Sequence, residues 1–146
     1  MENNQVEILL IEDNMSDAEL IIRSLRKVNL ANKLMHLKDG AEALDFIFRK
    51  GQFSNRSADS LPRVILLDIK MPKVDGIEVL RQIKGNEETK LIPVVIMTSS
   101  KEEKDIIDSY SLGVNSYVVK PLEFAGFAKA VSELGLYWVI TNQPPL

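Results

Sequence analysis

The stretch RVILLDIKMPKVDG, residues 63–76, decides how the chain is read. Arg63 to Leu67 is a short, mostly apolar run rich in branched side chains, the composition of a strand buried on both faces of a sheet. It stops at Asp68. The segment after it, Ile69 to Gly76, carries Pro72 and closes on Asp75-Gly76, the chemistry of a loop. A buried strand ending on a carboxylate and a loop is expected in a parallel sheet, where ligands sit beyond the carboxyl ends of the strands.

Working outward, three more runs share this character: Val6 to Ile11, Ile92 to Met97 and Ser116 to Val119. Lys33 to Leu37 is a less apolar fifth run. Pro93 is tolerable near the start of its strand, where one missing donor matters least. Helical patterns fall between the runs. Ser16-Asp17-Ala18-Glu19 reads as a capping box with Ser16 at the cap, followed by Ala18, Ile21, Ile22, Leu25 and Val28 at helical spacing. Ala41 to Arg49 follows Asp39-Gly40, and Ile77, Val79, Leu80 and Ile83 form a third pattern that stops near Gly85. Glu102 to Leu112 and Leu122 to Leu134 are the fourth and fifth. The polar segment Gly51 to Pro62 reads as a surface loop in the second crossover. The order is five strands, each followed by a helix, which calls for right-handed crossovers and a parallel sheet covered on both faces.

Four features fall at the strand ends of that sheet: Glu12-Asp13-Asn14, Asp68, Thr98-Ser99-Ser100 and Lys120-Pro121. Each alone has an ordinary explanation as a cap, a turn residue or a solvated charge. All four on one edge call for a site. Crowded carboxylates repel one another unless a cation intervenes, and a hard, oxygen-liganded ion such as Mg²⁺ (or Mn²⁺) suits a chain with no cysteine and a single histidine. One carboxylate can then act as nucleophile toward phosphorus, with a hydroxyl and an ammonium to meet the charge on the phosphoryl oxygens. Asp68 is the best nucleophile candidate, since it ends an expected central strand and opens a loop.

Together, Glu12-Asp13, the D-x-x-M-P-x-x-D-G stretch from Asp68 to Gly76, Thr98 and Lys120-Pro121 resemble the CheY-like response regulator receiver family over residues 5–135. The resemblance implies a flavodoxin-like doubly wound (βα)5 three-layer sandwich with a five-stranded parallel sheet in the order 2-1-3-4-5. It implies Asp68 as phosphoacceptor, with Glu12, Asp13, Asp68 and the backbone carbonyl of Lys70 as metal ligands. It further implies Thr98 and Lys120 as contacts to the phosphoryl group, Thr98 and Tyr117 as switch residues, and a cis peptide before Pro121. By the same resemblance, Lys70 and Ser100 would flank the path of a hydrolytic water and set the lifetime of the phosphoryl group. The loop before Leu61-Pro62 and the tail Leu136-Tyr137-Trp138-Val139-Ile140 are similar to stand-alone receivers that pair with phytochrome-type sensor kinases. The implied partners are a sensor histidine kinase, a downstream protein and a second copy of the chain, docked through helix 4, strand 5 and helix 5. Residues 136–146 are expected to be a tail with no output domain.

Composition agrees. The 146 residues suit one domain, 45% hydrophobic and 27% charged, and a net charge of −3 gives no basic footprint for direct DNA binding. No apolar stretch approaches the roughly 18 residues of a membrane span, the N-terminus lacks a signal peptide, and a cytoplasmic protein is expected. A phosphatase of the haloacid-dehalogenase type would want D-x-D after the first strand, whereas Lys70 stands two after Asp68 and Asp68 follows the third strand. A nucleotide-binding module would want a glycine-rich phosphate loop where Glu12-Asp13-Asn14 stands. The remaining alternative is a pseudo-receiver that no longer accepts phosphate. His36, in the second strand, reads as a partly buried strand residue rather than a ligand or base, and Phe46, Phe48 and Phe53 as core and loop anchors.

Overall fold

The computed structural model describes residues 6–27, 33–56, 61–68, 75–98 and 116–119. Five strands form one sheet: β1 (Ile8–Ile11), β2 (Leu34–Leu37), β3 (Val64–Asp68), β4 (Val94–Thr98) and β5 (Ser116–Val119). Their spatial order is β2-β1-β3-β4-β5, and every neighbouring pair is parallel. This is the doubly wound, flavodoxin-like arrangement expected. Three helices are described, α1 (Met15–Arg26), α2 (Gly40–Ile47) and α3 (Gly76–Lys84). The fourth and fifth helical patterns lie outside the described residues.

Period-two alternation sorts the strand side chains onto two faces. Leu9, Ile11, Ile65, Leu67 and Ile96 join a core with Phe46 and Ile47 of α2 and Val79, Leu80 and Ile83 of α3. Ile8, Leu10, Val64, Leu66, Val95 and Met97 meet Ala18, Ile21 and Leu25 of α1 on the other face. Strands β1 and β3 are buried at every position, as their unbroken apolar runs require, whereas β2 lies at an edge and is only partly buried.

Local chemistry adjusts several expected boundaries. Ser16 does not cap α1. Asn14 does, with extended backbone and a side chain that accepts from Asp17 N at 2.9 Å, so the helix begins one residue before Ser16. Asparagine and serine are near-equal caps, and the position where β1 ends chooses between them. Strand β4 starts at Val94 rather than Ile92. Pro93 has no N–H for the ladder, and Ile92 N is taken by Thr89 O in a turn. Lys84 ties this lead-in to the end of α3, donating from Nζ to the carbonyls of Lys90 (3.1 Å) and Ile92 (2.9 Å), and burial lowers its pKa.

Helix α2 ends at Ile47 instead of reaching Arg49. Arg49 sits at φ 56°, its N–H bonded to Phe46 O, while Lys50 N donates to Asp45 O. These two bonds make a Schellman stop with arginine where glycine is usual. The surface loop after it opens with a 3-10 turn, Gly51–Phe53, whose Phe53 ring meets Phe46 edge-on at 5.1 Å. Arg56 folds back over the Phe46 ring, 3.7 Å from its centroid, and donates to the Phe46 carbonyl at the negative end of α2. Both phenylalanines are thus anchors, of helix and loop respectively.

Candidate functional site

Strands β1 and β3 are neighbours, and their register pairs Ile11 with Leu67. Glu12 and Asp68, one residue further along each strand, therefore come side by side at the carboxyl edge. The strand order also reverses between β1 and β3, the place where doubly wound sheets bind ligands. Asp13 follows Glu12 at the turn into α1. Carboxylate oxygens of Glu12, Asp13 and Asp68 all lie within 4.8 Å of one another. The three differ in solvation: Glu12 is 0% exposed, Asp68 6%, and Asp13 is exposed.

The chain holds this cluster through its backbone. Glu12 N donates to Leu37 O at 3.0 Å, and the Glu12 carbonyl accepts from His36 Nε2 at 2.8 Å. Its carboxylate accepts from Asn14 N at 3.2 Å. Asn14 in turn closes the first turn of α1 through its side chain. His36 is a partly buried strand residue, as its sequence context implied, but its contact with Glu12 was not foreseen. Only the β1–β2 register, which pairs His36 with Leu10, brings the two together.

The donor set fits a divalent cation. An octahedral ion with bonds of about 2.1 Å spaces opposite ligand oxygens about 4.2 Å apart and adjacent ones about 3 Å apart. Three carboxylate oxygens within 4.8 Å of one another converge toward that spacing. With no cysteine and one histidine engaged elsewhere, oxygen is the available ligand chemistry at this edge.

The other expected site residues are placed unevenly. Thr98 is the last residue of β4, one past the Asp68–Met97 pair, which sets its backbone on the edge that carries Asp68. Tyr117 is in β5 opposite Ile96. Lys70, Ser100, Lys120 and Pro121 lie outside the described residues, and so do the cis peptide expected at Pro121 and the Tyr137-Trp138 tail.

A family model described as the response regulator receiver domain matches residues 8–132. The chain belongs to the response regulator receiver domain family. Receiver domains bind Mg²⁺ or Mn²⁺, and the Glu12, Asp13 and Asp68 oxygens are the donors here that suit such an ion. Among its relatives, the chain is 42% identical to the probable methanogenesis regulatory protein FilR2 of Methanothrix harundinacea, over 94% of this chain and 86% of that one. It is 39% identical to the response regulator Rcp1 of Synechocystis, over 94% and 92% of the two chains. The solved Mn²⁺-bound form of Rcp1 superposes with a TM-score of 0.87 at 38% identity, covering 97% of this chain and 99% of that one. The phosphorylated cyanobacterial phytochrome response regulator RcpA superposes with a TM-score of 0.88 at 35% identity, with the same coverage.

Proposed function

We propose that this receiver takes a phosphoryl group on Asp68 from the phosphohistidine of a sensor histidine kinase and passes the signal on by protein contact. The convergence of Glu12, Asp13 and Asp68 within 4.8 Å at the sheet's switch point carries this reading. A pseudo-receiver would have no use for a nucleophile beside two further carboxylates.

In the transfer, an oxygen of the Asp68 carboxylate attacks phosphorus as the phosphorus–nitrogen bond breaks, and the departing imidazole keeps the electron pair and takes a proton. A bound Mg²⁺ or Mn²⁺ offsets negative charge on the carboxylates and the phosphoryl oxygens. Glu12, Asp13 and the Lys70 carbonyl are the proposed ligands beside Asp68. The Thr98 hydroxyl and the Lys120 ammonium are the donors proposed for the phosphoryl oxygens. The chain thus catalyses only its own phosphorylation and slow dephosphorylation. Intact-mass measurement after incubation with acetyl phosphate and Mg²⁺ tests this. One phosphate should add to the wild type, none to Asp68→Asn, and none to the wild type with excess EDTA. Equal labelling of the wild type and Asp68→Asn refutes the assignment.

The receiver unit spans residues 5–135 and residues 136–146 form its tail. Phosphorylation draws Thr98 toward the phosphoryl group and turns Tyr117 inward, changing the surface of helix 4, strand 5 and helix 5. A second copy docks on that surface with help from Tyr137 and Trp138. Sedimentation as a monomer at high concentration in both phosphorylation states would refute the dimer. RcpA is a phytochrome response regulator, which supports a phytochrome-type kinase as the partner here. Among the described residues no helix is long and apolar enough to cross a membrane. The compartment proposed for the kinase contact is the cytoplasm.

A further inference from the structure

The last rung of the β1–β2 ladder pairs Ile11 with Leu37. Past it the chain leaves the sheet, because Asp39 turns to cap α2 with its side chain on Glu42 N. The Glu12 carbonyl lies beyond that rung and accepts from a side chain, His36 Nε2, at 2.8 Å. A carbonyl oxygen only accepts, so Nε2 bears the proton. The Glu12 N–H is held at 3.0 Å by Leu37 O, so strand β2 grips Glu12 by both backbone polar groups.

This carbonyl belongs to the planar peptide unit that joins Glu12 to Asp13. With its N–H and its C=O both held by β2, the Glu12 backbone is fixed where β1 leaves the sheet, and this sets the path that carries Asp13 away from Glu12 and Asp68. We propose that His36 is a positioning residue for the cation site. By donating to the Glu12 carbonyl, it holds the backbone at the turn from which the Glu12 and Asp13 carboxylates approach Asp68. This rests on the proposed role of the acidic cluster as a cation site. It does not depend on the charge of the imidazole, because Nε2–H donates in the neutral and the protonated ring alike.

The test uses the full unphosphorylated chain with Mn²⁺ followed by water-proton relaxation. His36→Phe keeps the ring shape and removes the donor, while His36→Gln returns an N–H to nearly the same place. Removing a residue that orients a metal ligand lowers affinity about tenfold or more, so His36→Phe should raise the Mn²⁺ Kd by about that factor. His36→Gln should stay within about threefold of wild type, a single hydrogen bond being largely restored. In the wild type, the His36 Nε2–H resonance should shift with Mg²⁺ in step with site saturation, a coupling that a merely structural histidine would not show. Wild-type affinity in His36→Phe, a Gln variant as weak as the Phe variant, or an Nε2–H signal indifferent to Mg²⁺ each overturns the role of His36. Asp13→Asn separates the two readings. A large loss of affinity there supports the cation site, and wild-type affinity removes the site and the positioning role with it.

Discussion

The backbone N–H of Asn14 donates to the Glu12 carboxylate at 3.2 Å while the Asn14 side chain accepts from Asp17 N at 2.9 Å. One residue therefore closes the first turn of α1 and holds the buried acid that precedes it. Replacing an asparagine cap with alanine costs about 1 kcal/mol, so Asn14→Ala should lower the urea midpoint accordingly. Ser16→Ala should change stability by no more than about 0.5 kcal/mol, as for a surface site away from any cap. Reversed effects in the two variants would return the cap to Ser16.

Cation binding should appear as added stability, because an ion that binds only the folded site shifts the unfolding equilibrium. At a Mg²⁺ concentration 100 times Kd the gain is about 2.7 kcal/mol. Thermal unfolding of the wild type should therefore rise in temperature with added Mg²⁺, and the rise should be largely lost in Asp13→Asn. Parallel curves for the two proteins would argue against Asp13 as a ligand.

Arg49 holds φ 56° at the end of α2, a conformation that costs a residue with a Cβ about 1–2 kcal/mol. Its ion pair with Glu88, at 3.5 Å, offsets little of this, since Glu88 is 72% exposed. Glycine removes the strain but adds freedom to the unfolded chain, so Arg49→Gly should stabilise by about 0.5–1 kcal/mol net. Chemical denaturation measures it, and a destabilised variant would mean that Arg49 contributes through contacts rather than being tolerated.

The lifetime of the phosphoryl group should depend on the positions two after Asp68 and two after Thr98. Lys70 can lie over the phosphoryl oxygens and exclude water, and Ser100 offers no carboxylate to orient an attacking water. Lys70→Asn and Ser100→Glu should each speed dephosphorylation, by about tenfold for a barrier change of about 1.4 kcal/mol, with the double variant fastest. Decay of the phosphorylated mass over time gives the rates. Unchanged rates in both, or slower loss in Lys70→Asn, would contradict the idea.

Much of this architecture was legible from local chemistry. The apolar run Val64 to Leu67 announces a strand buried on both faces, and Val64–Asp68 is one. The position of Glu12, Asp13 and Asp68 at strand ends could be read because runs of branched apolar residues stop just before them. Helix termini were less legible. Asn14 and Ser16 are both good caps, and an arginine in the left-handed region at position 49 leaves no mark in the sequence.

Sequence by itself determined the alternation of strand and helix and the set of acidic residues at one edge, because burial on two faces and loop chemistry act on adjacent residues. The family resemblance already implied that β1 lies between β2 and β3, but only the tertiary structure decided the contact that joins the Glu12 carbonyl to His36 Nε2 while the Glu12 carboxylate stands near Asp68. Such contacts depend on the register between strands far apart in the chain. Register is set by how two whole faces of side chains fit against α1, α2 and α3, a condition that no local stretch of sequence contains.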